Sequence, residues 1–229
     1  MSNEKRYHYL ARQPIYNRSL TPVGYELLFR SGPFATTAAT QAPSDKDEMT
    51  SIVLQAAEVI GWHNVLGDLD AWINSSYRLI DGEVPIALPP ERTVLEILET
   101  VTPTEDVVDG VVSHAFAGRR IALDDCDFGP HTERLLDIST TVKIDLRAMN
   151  RIDFAARVKE SKRVHLLVLA EKVENQDELS FCQALGCDFF QGYYLGRPEM
   201  LSNDAAVPAQ RERQLNTDAK APLVAVPPS

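Results

Sequence analysis

The sequence predicts an α/β fold in which eight strands close into a (β/α)8 barrel, and two observations support this prediction. First, eight short apolar runs are spread over residues 7–195. Most are too hydrophobic to be half-exposed antiparallel strands, so they are typical of parallel strands covered on both faces. Second, helix-like stretches separate the runs. The count of eight favours a closed barrel over an open doubly wound sheet, which no GxGxxG turn supports.

The predicted strands follow one another along the chain without an internal repeat. They are YHYLARQPIYN (7–17), GYELLFR (24–30), DAWINSS (70–76), VLEIL (94–98), RIALDD (120–125), VKIDL (142–146), HLLVLAE (165–171) and DFFQGYYL (188–195).

Capping residues predict three helices between these strands. The helices cover 46–60 after Asp45, 103 to about 118 after Thr102, and 176–185 between Asn175 and Gly186. The second one has a proline at its first position and Glu105 at its third, which is the pattern of a helix start. A segment of small residues, 31–45, is predicted to be a loop.

The chain of 229 residues is long enough for one barrel-sized domain or two small ones. We predict a barrel domain over residues 1–201 and a tail over 202–229. The tail is rich in Pro, Ala and Gln and has little to bury, so it is predicted to be disordered.

The bulk properties exclude several function classes. A net charge of −10 argues against binding nucleic acid through a basic face. The chain has three cysteines and no CxxC, which suits a reduced compartment, although Cys182 and Cys187 could pair in principle. No apolar run reaches the length of a membrane span, and MSNEKRYHYL is not a signal peptide. We therefore expect a soluble, cytoplasmic protein that does not bind membranes.

Oxygen-bearing side chains lie in or just after the apolar runs. They are Glu26, Asn74, Glu96, Asp124, Asp125, Glu171 and Glu174, and Lys143 joins them. Burying so many carboxylates is unfavourable unless a positive charge holds them together. The ends of the barrel strands converge, so oxygen ligands and a lysine there indicate a divalent-metal site suited to phosphate chemistry.

These motifs resemble, in order, those of the EAL domain, a bacterial family that hydrolyses the second messenger cyclic di-GMP. YELLFR resembles the EALLR signature, and RQPIYN, INSS, LEILET, ALDD, VKIDL, LAEKVE and CDFFQGYYLGRP resemble the QPI, NxS, LEITE, ALDDFG, KID, AEGVE and QGY…RP segments. No single motif is specific, but eight in the right order are, and they cover roughly residues 9–200. The resemblance implies a TIM-like barrel whose first strand is antiparallel to the rest.

The resemblance also implies a role for each polar residue. Glu26, Asn74, Glu96 and Asp124 would hold one Mg²⁺ or Mn²⁺, and Asp124 would be shared with a second ion held by Asp125 and Glu171. Lys143, Glu171 and Asp125 form the implied catalytic set, with Lys143 positioning the water, although Lys143 could instead be a purely structural counter-ion. Ligand-binding roles fall to Arg30, Gln13 and Gln191, and Glu174 would brace a loop. The reaction would open one phosphodiester of cyclic di-GMP to give pGpG.

The chain departs from the family pattern after Asp125. Active members usually read DDFGTGYSSL, whereas this chain reads DDCDFGPH, and the glycines of the loop are out of register. In the family, that loop supports metal binding and dimerisation. Lys172 replaces the glycine of AEGVE. The variants YELLFR, LEILET and AEKVE resemble the branch in which an HDOD domain follows. No room remains for one after residue 201, so the chain is either part of a longer protein or a stand-alone relative.

Three functions stay open at this point. The first is a cyclic di-GMP phosphodiesterase with two metal ions. The second, motivated by the altered loop, is a module that binds cyclic di-GMP without useful turnover and passes the signal to a protein partner. The third is a protein-interaction domain that has lost the nucleotide, against which the retained Glu26, Asn74 and Glu96 argue. A homodimer is compatible with all three.

Overall fold

A computed structural model of the chain describes residues 8–32, 46–126, 128–129 and 132–203. Its strands are β1 (Tyr9–Asn17), β2 (Pro22–Phe29), β3 (Asp70–Ser75), β4 (Thr93–Ile97), β5 (Arg120–Asp124), β6 (Thr141–Asp145), β7 (Leu167–Glu171), β8 (Phe189–Phe190) and β9 (Glu199–Ser202). All eight strands expected from the sequence are present.

The strands form a closed barrel. Strands β2 to β8 are parallel neighbours in chain order, and β1 closes the ring between β8 and β2. Strand β1 is antiparallel to both of these neighbours. The predicted barrel with an antiparallel first strand is therefore confirmed.

Strand β9 was not expected from the sequence. It pairs antiparallel with the first half of β1, where Leu10 lies opposite Leu201. Its four residues, EMLS, are too few to show a periodic pattern. The strand ends at Ser202, and the predicted disordered tail lies, from residue 204 onward, outside the described residues.

The helices alternate with the strands. They are α1 (Lys46–Ile60), α2 (Trp62–Leu66), α3 (Tyr77–Ile80), α4 (Glu105–Phe116), α5 (Glu133–Ile138), α6 (Arg151–Arg163) and α7 (Gln176–Leu185), and a 3-10 turn covers Pro90–Arg92. None of these described helices has both the length and the apolar character needed to cross a membrane.

The helix ends test the predicted caps. Asn175 caps α7 as expected, because its side chain accepts a hydrogen bond from the backbone of Glu178, and Gly186 ends the helix with φ +88°. The start of α4 differs from the prediction. Its cap is Thr104, whose side chain accepts from the backbone of Val107, and not Thr102. The proposed cap Asp45 and the loop 33–45 lie outside the described residues.

The core has an outer and an inner part. Between strands and helices, residues such as Leu54, Ile73 and Leu95 pack in one large apolar cluster. Inside the barrel is a smaller cluster formed by the side chains that point the opposite way, namely Ile15, Trp72, Val94, Ala122 and Leu169. This inner cluster fills the barrel and forms the floor beneath its carboxyl end.

Candidate active site at the carboxyl end of the barrel

The polar side chains form a layer directly above the inner apolar cluster. Because side chains alternate along a strand, the residue two positions after an inward-facing residue also faces inward. Trp72 is therefore followed by Asn74 on β3, and Val94 by Glu96 on β4. In the same way, Asp124 lies two positions after Ala122 on β5, and Glu171 lies two positions after Leu169 on β7. The two-residue period of the strands thus brings the predicted site residues to one place.

Lys143 lies at the centre of this layer, with its side chain only 2% exposed. Its Nζ atom donates a hydrogen bond of 2.7 Å to Oε2 of Glu96. The same Nζ lies 3.0 Å from Oε1 of Glu171, 3.6 Å from Oδ1 of Asp124 and 3.9 Å from Oε1 of Glu26. One ammonium group is thus shared by four carboxylates from four different strands.

Burial and mutual repulsion shape the charge of this layer. Burial raises the pKa of Glu96 well above its usual value, because desolvation outweighs the attraction of Lys143. Burial likewise raises the pKa of Asp124, and it raises that of Glu171 to about 7. For Lys143, desolvation lowers the pKa, but the surrounding carboxylates, Glu171 foremost, outweigh it and hold the pKa well above its usual value. The attraction of one lysine thus does not offset the cost of burying these carboxylates, which hold protons more readily than exposed carboxylates do.

Two amide side chains fix the orientation of Glu26. Its Oε1 accepts a hydrogen bond of 3.2 Å from Nδ2 of Asn74, and its Oε2 accepts one of 2.7 Å from Nε2 of the buried Gln191. Gln13 lies opposite Glu26 on the neighbouring strand β1 and donates to the backbone oxygen of Gly196 at 3.0 Å. Glu26 is therefore held by two side chains, one near the end of β3 and one directly after β8.

Asp125 lies at the mouth of the site, one residue beyond the end of β5. Its backbone has a φ of +44°, a left-handed conformation that is uncommon for residues other than glycine. Its Oδ1 accepts a hydrogen bond of 3.1 Å from the backbone of Asp145 at the end of β6. Asp125 is exposed, whereas Asp124 is partly buried in the layer below, so the two adjacent aspartates occupy different depths.

Two of the predicted site residues lie at the edge of this arrangement. Arg30 is buried and donates a hydrogen bond of 2.6 Å to the backbone oxygen of Phe29. Burial lowers its pKa, with Tyr193 and Glu26 as the nearby charges that oppose this effect. Glu174 is exposed and forms an ion pair of 2.7 Å with Arg147.

The sequence reasoning missed the outer ring of this site. Asp145 is only 6% exposed, accepts a backbone hydrogen bond from Arg147 at 2.7 Å and forms an ion pair with Lys172. Arg147 also bonds Glu178 on α7 at 2.8 Å. A signal for Asp145 was available, because it lies two positions after Lys143 in VKIDL and so follows the same alternation.

The site opens to solvent through a cleft of about 410 Å³. Its lining consists of Gln13, Glu26, Asp124, Asp125, Lys143, Glu171, Lys172, Glu174, Gln191, Gly192 and Tyr193. Eight of the predicted site residues are part of this lining, and Glu174 is the one of them that lies at the edge of the site.

The donor set fits a hard divalent cation. In the part of the chain that the structure describes, no three acidic, histidine or cysteine side chains are already arranged around one metal position, and Lys143 lies among the carboxylates. However, Oε1 of the fully buried Glu96 has no hydrogen-bond partner among the described residues. Together with the shared ammonium, this unpartnered oxygen indicates a need for further positive charge, and carboxylate and amide oxygens are the ligands that Mg²⁺ and Mn²⁺ accept.

The loop after Asp125 is anchored by helix α6. The backbone oxygen of Cys126 accepts a hydrogen bond of 3.1 Å from Nη1 of Arg157, and the Arg157 guanidinium lies 5.1 Å from the centre of the Phe128 ring. The altered loop that motivated the prediction of a binding module without useful turnover includes residues 127, 130 and 131, which lie outside the described residues.

Comparison with known proteins agrees with this geometry. The family model of the EAL domain matches residues 79–198, which is more than half of the chain. Cyclic di-GMP phosphodiesterase CdgJ of Vibrio cholerae is 35% identical over 199 residues, covering 84% of this chain and 45% of CdgJ. The chain spans about half the length of the curated relatives it matches, 45% and 48% of the first two.

Solved structures share the fold at low sequence identity. The Bacillus subtilis YkuI protein, which has an EAL domain and was solved with cyclic di-GMP and calcium, has a TM-score of 0.66 at 21% identity, covering 95% of this chain and 63% of that one. Klebsiella pneumoniae BlrP1, solved with manganese and cyclic di-GMP, has a TM-score of 0.65 at 19% identity, covering 88% of this chain and 58% of that one.

Proposed function

Because this chain belongs to the EAL domain family, we propose that it hydrolyses cyclic di-GMP to linear pGpG with the help of divalent metal ions. The observation that carries the proposal is the position of Lys143 among four carboxylates at the carboxyl end of the barrel. Active sites of such barrels lie at that end. The match to CdgJ, whose name states this activity, supports the same conclusion.

We assign the first ion to Glu26, Asn74, Glu96 and Asp124, and the second to Asp125 and Glu171 with Asp124 shared. When bound, Mg²⁺ or Mn²⁺ supplies positive charge for the leaving oxygen and increases the acidity of water. Asn74 and Gln191 hold Glu26 in one orientation through their hydrogen bonds to its two oxygens.

Lys143 acts as a hydrogen-bond donor in this proposal. It is buried, stays protonated among the carboxylates and lines the cleft together with Glu171 and Asp125. An ammonium at that position can orient a water molecule and stabilise negative charge that develops on a phosphate oxygen. Gln13, Arg30 and Gln191 are assigned to the ligand, and Glu174 to the loop that follows β7.

The test is incubation of the purified chain with cyclic di-GMP and either Mg²⁺ or Mn²⁺, followed by chromatographic detection of pGpG. Product should form only with metal, and Glu26→Ala should abolish it. The matched control is Glu58→Ala, which removes an exposed glutamate of helix α1 and should leave the rate unchanged. Absence of pGpG from the wild-type chain at high protein concentration would reject the proposal.

A second candidate function is cyclic di-GMP binding without useful turnover. The exposed, left-handed Asp125 and the altered sequence after it favour this candidate, because they concern the ligands of the second ion. Calorimetry would then show cyclic di-GMP binding in the presence of Ca²⁺ while chromatography shows no pGpG with Mg²⁺ or Mn²⁺. In that case the chain would act as a regulatory module on a protein partner or as a homodimer.

We also propose that the chain belongs to the branch linked to HDOD domains. The motifs YELLFR, LEILET and AEKVE support this proposal, and more than half of CdgJ lies outside the match. Mass spectrometry of the native protein from its source cells tests it, because an HDOD domain would add clearly to the 25.5 kDa of this chain.

A further inference from the structure

Lys172 occupies an unusual position at the mouth of the cleft. It follows Glu171 directly at the end of β7, and its φ of +57° is the left-handed conformation that favours glycine. Its side chain is 62% exposed and lines the same cleft as Lys143. The residue at this position is thus a lysine, although glycine would adopt the same backbone conformation with less strain.

The Lys172 side chain pairs with Asp145, which lies next to the ligands proposed for the second ion. Its Nζ forms an ion pair with Oδ2 of Asp145, whose backbone amide holds Asp125. The hydrogen bond to Asp145 raises the pKa of Lys172, and the neighbouring charges of Glu171 and Asp125 add to this effect against a smaller cost of burial. The ammonium group therefore lies in the electrostatic field of both proposed ligands.

We propose that Lys172 is a built-in cation that weakens the binding of the second divalent ion by Asp125 and Glu171. This inference rests on the proposed function, because it concerns the metal ions of that same site. Lys143 contacts Glu171 from inside the barrel, and Lys172 places a second positive charge on the outer side. An ion held by Asp125 and Glu171 would be repelled by both ammonium groups.

The expected size of the effect follows from Coulomb's law. For a divalent ion several ångströms from an ammonium that is 62% exposed, the screening is close to that of water, and the repulsion corresponds to about a tenfold loss of affinity. The first ion, held by Glu26, Asn74 and Glu96 on the other side of the barrel mouth, should be affected much less. Lys172 thus makes occupancy of the second metal position depend on the concentration of metal.

The proposal predicts two classes of Mn²⁺ site in the wild-type chain, one tight and one weak. Titration with Mn²⁺ alone, with free Mn²⁺ counted by electron paramagnetic resonance, measures both. Lys172→Gln removes the charge and keeps the length of the side chain, and Lys172→Gly also relaxes the left-handed backbone. Both variants should bind the second Mn²⁺ about tenfold more tightly and leave the first unchanged.

The matched control is Lys162→Gln. Lys162 also pairs with an aspartate, Asp188, but that pair lies at the opposite end of the barrel, where Asp188 accepts from the backbone of Val168 at the start of β7. The control changes the net charge of the chain by the same amount and should leave both Mn²⁺ affinities unchanged. Circular dichroism confirms that each variant is folded.

Each other outcome overturns the inference. Equal Mn²⁺ affinities in wild type and both Lys172 variants would reject the role of Lys172 and leave the proposed phosphodiesterase intact. Absence of any Mn²⁺ binding would reject the metal site and the inference together. Tighter binding in Lys162→Gln as well would show that net charge, and not the position of Lys172, sets the affinity.

Discussion

Lys143 and Glu96 form a buried ion pair of 2.7 Å at the centre of the barrel, and their side chains are 2% and 0% exposed. The pair joins β6 to β4 across the interior, on strands that are not neighbours in the sheet. A buried pair of this kind contributes little net stability, but removing one partner leaves the other unpaired and strongly destabilises the fold.

Lys143→Met should therefore lower the free energy of unfolding of the metal-free protein by about 3–5 kcal/mol. The reason is that Glu96 would be left fully buried without its hydrogen-bond donor. Urea denaturation without metal measures the change. Lys159→Met, on the exposed face of α6, is the control and should change stability by less than about 0.5 kcal/mol. If Lys143→Met were as stable as the wild type, Lys143 would not be needed as a counter-ion.

Gly192→Ala should destabilise the protein by about 3 kcal/mol and reduce the hydrolysis of cyclic di-GMP. An added Cβ would lie 2.1 Å from the backbone oxygen of Val173, so the chain must move next to Gln191, which holds Glu26. Thermal unfolding and the pGpG assay measure the two effects. At Gly32 an added Cβ meets nothing within 4 Å, so Gly32→Ala should be nearly neutral. If Gly192→Ala and Gly32→Ala lost similar amounts of stability, the close approach of Gly192 to the Val173 backbone would not be the cause.

Asn175→Ala should lower the free energy of unfolding by about 1 kcal/mol, because it removes the cap of α7. The Asn175 side chain accepts a hydrogen bond of 3.0 Å from the backbone of Glu178. Asn175→Asp keeps an acceptor at this position and should retain most of the stability. Chemical denaturation compares the three proteins, and an equal loss in both variants would count against the capping role.

The contribution of His114 to the stability of the fold should fall between pH 7 and pH 5.5. Burial lowers the pKa of this histidine, and its Nε2 lies 2.9 Å from the backbone oxygen of Leu79. Since the pKa is lower in the folded state than the ordinary value of about 6.5, the unfolded chain binds the proton more tightly as the pH falls. His114→Gln keeps a hydrogen-bond donor but does not titrate, so the stability of the wild type relative to this variant should fall as the pH is lowered over this range. Urea denaturation at several pH values measures the free energy of unfolding of both proteins. If it changed with pH in the same way in both, the contribution assigned to His114 would be excluded.

The amino-acid sequence predicted most of the fold because its signals are local. Alternation and apolar runs marked all eight barrel strands, and capping chemistry marked Asn175 and Gly186. The start of α4 was placed two residues too early, since Thr102 and Thr104 are both good cap residues and only the backbone geometry selects Thr104. Strand β9 was missed because its stability comes from pairing with distant β1.

The site divides in the same way. The identity of the polar residues at the strand ends is a property of the sequence, and the period of a β-strand is enough to predict that Asn74, Glu96 and Asp124 face one interior. The sequence motifs alone had not shown that Lys143 contacts Glu96 and Glu171. That contact depends on the curvature of the whole barrel, which brings non-neighbouring strands within hydrogen-bonding distance.

The sequence by itself therefore determined the kind of fold, the family and the identity of the polar residues at the strand ends. Only the tertiary structure decided which charged groups lie next to each other. Lys143 lies at the centre of four carboxylates, and Lys172 forms an ion pair with Asp145 at the mouth of the cleft. The physical reason is that backbone preferences act between residues close in sequence, whereas electrostatic interactions depend on distances that arise only when the barrel closes.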